Sequence, residues 1–364
     1  MVSPLVRIMR DRIRPADLDR VLNLLTNREL IIAPADTVYG AFGKAFDAEV
    51  ANRLNRLKGD RREPYAALFA NFEQLEGTIG ELDLRRRRIA KTLLPGPVTL
   101  ILPHFNRLPA EFRQGSECIG VRVSSDALIP EICSRLNAPL WGSSANRSGG
   151  VDPVDFLSID KRVLEEAALA LDAGPTLFHQ ASTIVDLSAM PFKIKRPGPW
   201  QARIEQTLKK ALMPVKILVL CSGNICRSPL AAALLQNLIG DAHKTGIEIA
   251  SAGLDAVPGE TASFMMVQIG YEWGIDLTAH RARMAASEIY KSVDLILAAA
   301  VTHRERIIKI DPKAVDKVRL LGEKIGVDSI PDPYERGEEA YRASAELIRQ
   351  AVEAWAEWLK PARL

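Results

Sequence analysis

Cysteine is scarce in this chain. Cys118, Cys133, Cys221 and Cys226 are the four among 364 residues, too few and too scattered for a disulfide scaffold. No Cys/His cluster has zinc-ligand spacing and the five histidines are isolated, so no structural metal is expected. Long apolar runs are also missing: nothing approaches the ~20 residues of a membrane span. The opening stretch, MVSPLVRIMRDRIRPADLDR, mixes acids and bases and lacks an apolar signal core. These absences point to a cytoplasmic protein with no membrane partner. There are no repeats, no low-complexity tracts, no Gly-Lys-Ser/Thr phosphate loop and no dinucleotide fingerprint.

What remains is ordinary for a globular protein, at 47% hydrophobic and 26% charged residues, and the length suits two domains. The net charge of +3 is uneven. Residues 1–210 carry 30 Lys+Arg against 25 Asp+Glu, while residues 211–364 carry 18 against 20. This mild excess fits phosphate-bearing ligands without arguing for nucleic acid. The run Arg85-Arg86-Arg87-Arg88 reads as a solvated helix face, the alternative being an RNA-facing patch.

The most informative stretch is Lys216–Leu235, KILVLCSGNICRSPLAAALL. Its branched apolar start predicts a buried parallel strand, and its Ala/Leu-rich end, with Pro229 in the first turn, predicts a helix. A strand, a tight loop and a helix N-terminus form an anion cradle of converging N–H groups. A thiol placed at the start of such a cradle, as Cys221 is, favours the thiolate. Arg227, which closes it, can grip two phosphate oxygens with its planar fork. The pair suits attack of sulfur on a phosphoryl group, giving a cysteinyl-phosphate that water hydrolyses. Asp332, between Pro331 and Pro333, is the candidate acid for the leaving oxygen, and Tyr334 could wall the pocket.

These residues resemble the low-molecular-weight protein tyrosine phosphatases over about residues 214–360. Ser251-Ala252-Gly253 and Gly274–Leu277 through His280-Arg281-Ala282-Arg283 match further blocks of that family. The resemblance implies a doubly wound parallel sheet with Cys221 as nucleophile, Arg227 as phosphate clamp and Asp332 as general acid. Asn224 would order the loop and Ser228 stabilise the thiolate, with Ser222, Gly223, Ile225 and Cys226 completing the phosphate loop. Phosphotyrosine on protein is the favoured substrate, because Ile225 stands where the arginine-phosphate branch has threonine. Arsenate reduction would need cysteines after Cys226, and none occurs. Cys226 reads either as a disulfide partner for Cys221 under oxidation or as a small buried residue. His280 reads as a structural hydrogen-bonder, and Cys118 and Cys133 as core residues.

The first half alternates helix and strand patterns. Helices are predicted over 11–30, 47–58 and 126–136, and strands over 30–33, 65–70, 98–102, 119–123 and 183–186. Residues 34–40 read as a polar turn closed by Gly40. Arg122 lies within a strand and could project into a site. Ser143-Ser144 followed by Gly149-Gly150 offers hydroxyls and bare N–H groups to an anion. Pattern alone supports a mixed α/β domain with a polar, partly basic concave face.

Seven ordered blocks over about residues 10–200 resemble the YrdC-type threonylcarbamoyl-adenylate synthases: 34–40, Lys58, 94–100, 121–123, 143–146, 182–186 and 196–198. The resemblance implies a twisted mixed sheet backed by helices. It also implies that threonine and bicarbonate form a carbamate that attacks the α-phosphate of ATP, releasing pyrophosphate. The product would feed tRNA modification, with tRNA an indirect partner. ATP would be a substrate accompanied by Mg²⁺, with no tightly bound cofactor, and double-stranded RNA binding is a further family property. Lys58, Arg61 and Arg196 would contact phosphates, Ser144 and Asn146 would position the nucleotide, and Thr37, Arg122 and Ser182 would hold threonine. The chain departs from the family at Ala35, where threonine is usual, and in Lys58-Gly59-Asp60-Arg61, where Asp60 takes the place of an arginine. The expected organisation is therefore a YrdC-like domain at 1–201, a linker helix at 202–213 and a phosphatase-like domain at 214–364. A bifunctional enzyme is expected. The alternative is an active phosphatase, for tyrosine or arginine phosphate, carrying a nucleotide- or RNA-binding module that has lost turnover.

Overall fold

The computed structural model describes the chain except residues 1–4, 10–11, 60–64, 105–106, 109–116, 148 and 360–364. The chain divides into two compact units, Met1–Leu82 with Ile89–Lys210, and Asp83–Arg88 with Ala211–Leu364.

The first unit is built on β1 (Leu5–Arg7), α1 (Pro15–Thr26), β2 (Ile31–Pro34), β3 (Tyr39–Lys44), α2 (Ala48–Lys58), β4 (Ala66–Leu68) and α3 (Phe72–Ile79). Helix α4 (Leu84–Leu93) spans the division. Then follow β5 (Val98–Pro103), β6 (Cys118–Arg122), α5 (Leu128–Leu136), β7 (Leu140–Ser144), α6 (Lys161–Glu165), β8 (Leu169–Asp172), β9 (Thr183–Asp186), β10 (Lys193–Arg196) and α7 (Gln201–Ala211). The strands form one mixed sheet in the order β1-β8-β2-β3-β7-β4-β6-β5-β9-β10. Helices α1 and α5 pack on it through Leu18, Val21, Leu25, Ile129, Ile132 and Cys133. Because side chains alternate along a strand, every second residue faces the same way. Thr99 and Ile101, Gly120 and Arg122, Gly142 and Ser144, and Ser182 and Ile184 thus line one cavity.

Helix α2 shows how local sequence delivers a functional group. The Asp47 carboxylate caps it, accepting from the N–H groups of Glu49 at 2.9 Å and Val50 at 3.4 Å. Val50, Leu54 and Leu57 are buried. Gly59, at φ +71°, ends the helix just after Lys58 in a conformation that suits glycine.

The second unit contains β11 (Val215–Cys221), α8 (Arg227–Ile239), α9 (Ala242–Thr245), β12 (Ile247–Gly253), α10 (Phe264–Glu272), α11 (Ser287–Ser292), β13 (Leu295–Ala298), α12 (Val301–Ile310), β14 (Val318–Leu320) and α13 (Glu338–Leu359). Its strands are all parallel, in the order β12-β11-β13-β14. Strand β11 is apolar on both faces, which explains its unbroken run. Ile217 and Val219 join a core with Leu230, Leu235, Ile348 and Trp355, whereas Leu218 and Leu220 join another with Tyr290 and Ile307. The sheet is covered on both sides, as a doubly wound sheet requires. β12 and β13 flank β11 on opposite sides, so the β11–α8 loop opens at a topological switch point.

Several expectations need correction. The polar turn over 34–40 is partly strand, since β3 begins at Tyr39 and is paired on both sides, by β2 and β7. Strands β8 and β10 and helix α3 were not expected from pattern. The arginine run is not a solvated face: Arg86 is buried and pairs with Asp83, while Arg85, Arg87 and Arg88 are half-buried. Cys133 is a core residue, but Cys118 is only half-buried and lines the cavity.

Candidate functional sites

In the second unit the β11–α8 loop wraps around a sulfur. Cys221 is buried, and its Sγ accepts from the backbone N–H of Asn224 at 3.3 Å and lies 3.0 Å from Ser228 Oγ. Both contacts, and the N-terminus of α8, surround the sulfur with polar groups and positive potential. Asn224 takes a left-handed conformation, φ +56°, that turns the loop. Its amide donates to Ser228 Oγ and Ser251 Oγ, both at 2.9 Å, and its Oδ1 accepts from the Arg283 N–H at 3.0 Å. Its carbonyl meets His280 Nε2 at 2.7 Å, so His280 does hold structure. Beneath the loop lies Gly253, where an added Cβ would sit 2.3 Å from the Ser222 carbonyl oxygen.

Arg227 is 4% exposed. Its guanidinium donates to the Ile330 carbonyl at 3.2 Å, to Ser222 Oγ at 3.3 Å and to the Asp332 carboxylate. Its Nε is buried with no partner among the described residues, a donor left for an incoming oxyanion. Asp332 is half-exposed at the mouth beside Tyr334, which lines the pocket as expected. Cys226 sits 3.2 Å from Ser263 Oγ, and burial pushes its thiol up. The pocket holds about 250 Å³ and is lined by Cys221, Ser222, Gly223, Ile225, Cys226, Arg227 and Asp332, with Asp255 and Glu260 at its rim.

A histidine behind this pocket is not apparent from the sequence. His303, on α12, is buried with Nε2 2.9 Å from Ser222 Oγ. Burial, reinforced by Arg227, pushes its imidazole down to about 4. Since Arg227 donates to Ser222 Oγ, the serine hydroxyl can donate onward to a neutral His303. No motif singles this histidine out, because it lies 81 residues from its partner.

The first unit holds a cavity of about 780 Å³, in the upper part of the roughly 300–1,000 Å³ range of small-molecule sites. Lys58 is 4% exposed and donates to the Ser144 carbonyl at 2.8 Å, Ser144 Oγ at 3.3 Å, Asn146 Oδ1 at 2.8 Å and the Asn146 carbonyl. Three residues expected to serve the nucleotide are thus brought together. Arg122 projects into the cavity from β6 and donates to Thr37 Oγ1 at 2.7 Å and to Asp36. Its Nε is buried without a partner among the described residues. Burial alone would raise the Asp36 carboxyl, but Arg122 and the N–H and hydroxyl of Ser125 outweigh it and hold it below the usual carboxylate range. Thr37 is fully buried behind the lining, where it anchors Arg122. Ser182 Oγ lies 2.8 Å from Thr99 Oγ1, and its carbonyl accepts from Arg196 Nη2 at 2.7 Å. Ser182 and Arg196, expected to serve different ligands, therefore form one cluster. Ala35 lines the cavity with a methyl group. Arg61 lies outside the described residues, as does Asp60. Arg147, Asp152, Thr99 and Cys118 also line the cavity and were not anticipated there. Among the described residues no group of three or more His, Cys, Asp or Glu is placed to hold a metal.

The second unit has a doubly wound α/β fold with a loop built around Cys221 at the end of β11. Residues 216–363 match the low molecular weight phosphotyrosine protein phosphatase model, and over that span the chain belongs to this family. Residues 23–198 match the Sua5/YciO/YrdC model, described as telomere recombination, so the chain is a fusion of the two domain types. It is 38% identical over 144 residues to a putative low molecular weight protein-tyrosine-phosphatase of Klebsiella pneumoniae, covering 40% of this chain and 96% of that protein. It is 28% identical over 191 residues to a threonylcarbamoyl-AMP synthase of Pyrococcus abyssi, covering 52% of this chain and 56% of the synthase. Among solved structures, Vibrio vulnificus Wzb in complex with benzylphosphonate is 36% identical, covers 40% of this chain and 98% of its own, and has a TM-score of 0.37. No described helix is long and apolar enough to cross a membrane.

Proposed function

We propose that the protein is a bifunctional enzyme with two independent phosphate-handling sites. In the second unit Cys221 attacks the phosphorus of a phosphotyrosine side chain on protein, and the Cys221 S–P bond forms as the ester P–O bond breaks. Asp332, protonated, gives its proton to the leaving phenolate oxygen. Water then attacks the cysteinyl-phosphate, with the same carboxylate taking its proton, and thiolate and inorganic phosphate result. Arg227 and the loop N–H groups hold the equatorial oxygens throughout. The observation that carries this reading is the placing of Cys221 Sγ, Arg227 and Asp332 around one pocket of about 250 Å³.

In the first unit ATP, brought with Mg²⁺, reacts with a carbamate made from threonine and bicarbonate. Pyrophosphate leaves, and threonylcarbamoyl-AMP remains for transfer to tRNA. Arg122 holds the threonine carboxylate, and Lys58, Ser144 and Asn146 form the nucleotide-facing wall. The cavity volume and the orphaned Nε of Arg122 support this reading. The test is pyrophosphate release from ATP with and without threonine and bicarbonate. Release that requires both supports synthase activity. ATP binding without release favours the second reading, a nucleotide-binding module joined to an active phosphatase.

A further inference from the structure

Four described cationic side chains line the cavity of the first unit: Lys58, Arg122, Arg147 and Arg196. Three are engaged by the protein itself, Lys58 with Ser144 and Asn146, Arg122 with Asp36 and Thr37, and Arg196 with Ser182. Arg147 differs. Among the described residues its side chain makes no hydrogen bond or ion pair, and the residue is exposed.

Its backbone is nevertheless fixed. Asn146, which precedes it, donates its amide to the carbonyls of Gly150 at 2.9 Å and Val151 at 3.0 Å. The Gly150 N–H returns to the Arg147 carbonyl at 2.9 Å. Across the cavity mouth stands the turn that ends α2. A Cβ built on Gly59 would lie 3.6 Å from Arg147 Nη2, so the guanidinium stands over that turn, next in sequence to Lys58. A planar fork of donors on a braced backbone, with no acceptor among the described residues, lines the cavity beside the Lys58 ammonium.

We propose that Arg147 is a phosphate-binding residue of the first unit and grips the outer phosphates of ATP over the Lys58–Gly59 turn. This rests on the nucleotide reading above. Lys58 meets four protein oxygens, so its main work is to hold the Ser144–Asn146 wall, and Arg147 supplies the accessible cation that the triphosphate tail requires. Its accessibility follows from exposure, and its location from the Asn146-braced turn. AMP, which lacks the outer phosphates, would not reach Arg147.

The test titrates Mg²⁺–ATP and, separately, AMP into full-length wild type, Arg147→Ala and Arg147→Lys by calorimetry. Hydrolysis of p-nitrophenyl phosphate by the same samples serves as a check on folding. The expected result is ATP affinity weakened about tenfold or more in Arg147→Ala, partly restored in Arg147→Lys, with AMP affinity and phosphatase activity unchanged. Equal ATP affinity in wild type and Arg147→Ala overturns the assignment while leaving the nucleotide reading intact. A parallel loss of AMP affinity also overturns it. If wild type itself fails to bind ATP, the nucleotide reading falls first and the assignment with it.

Discussion

At the scale of single residues, the Cys221 loop is supported by groups that do not line its pocket. His303 is the clearest case, because the fold keeps it neutral behind Ser222. Its value falls from 6.5 to about 4, chiefly through burial and then through Arg227 and Arg306, while Asp332 and Asp255 act in the opposite sense. The folded protein therefore disfavours the proton. The stabilisation is complete above about 6.5 and is lost as pH falls through about 4. We expect the melting-temperature gap between wild type and His303→Asn to narrow over that window, because only wild type carries a group that must charge. A gap that stays constant with pH would mean that His303 titrates normally. The same chemistry explains why the residue was hard to foresee. A lone histidine in a helix pattern has no local signature, whereas Cys221, Arg227, Asn224 and Ser228 are bound together by short spacing that only a phosphate loop explains.

At the scale of elements, packing decides what pattern cannot. Strand β11 was legible because being buried on two faces demands an unbroken apolar run. Strand β3 was not, since its Tyr-Gly-Ala-Phe-Gly composition reads as a turn until β2 and β7 bracket it and satisfy its backbone. Strand β10, with Lys193, Lys195 and Arg196 exposed, has Ile194 as its sole apolar residue, too little alternation to read as a strand. In the first site Lys58, Ser144, Asn146 and Arg122 were anticipated. The joint Ser182–Arg196–Thr99 cluster and the buried placement of Thr37 needed the sheet, which brings distant strands side by side. Element packing also fixes Gly253 at the end of β12. Replacing it with alanine puts a Cβ 2.3 Å from the Ser222 carbonyl oxygen and 2.8 Å from the Asn224 nitrogen, both rigid backbone atoms. The phosphate loop must then shift. Because an anion hole misplaced by about 1 Å can cost roughly 100-fold in rate, Gly253→Ala should lower kcat for p-nitrophenyl phosphate by about that factor. Circular dichroism should still report a folded protein. Wild-type kinetics in Gly253→Ala would show that the loop relaxes freely.

At the scale of the whole molecule, each unit carries its own core and its own site. Cys221→Ser should abolish phosphoester hydrolysis, falling by about 10³-fold or more as expected for loss of a covalent nucleophile. It should leave ATP-dependent pyrophosphate release at the wild-type rate. Joint loss of both activities would contradict two separate sites.

The ion pair between Arg227 and Asp332 carries one further consequence. In the pocket the Arg227 guanidinium is already paired with the Asp332 carboxylate, so on the proposed mechanism an arriving anion must compete with an internal one. A doubly charged monoester can win that exchange and, in doing so, free the Asp332 carboxylate to take up a proton from solvent and turn toward the leaving oxygen. A singly charged diester is the weaker competitor. Removing the rival charge with Asp332→Asn should thus tighten inhibition by inorganic phosphate or vanadate even as turnover collapses. Unchanged or weaker inhibition would show that the carboxylate does not guard the clamp. On the proposed mechanism the pocket would thus select for charge before any chemistry begins.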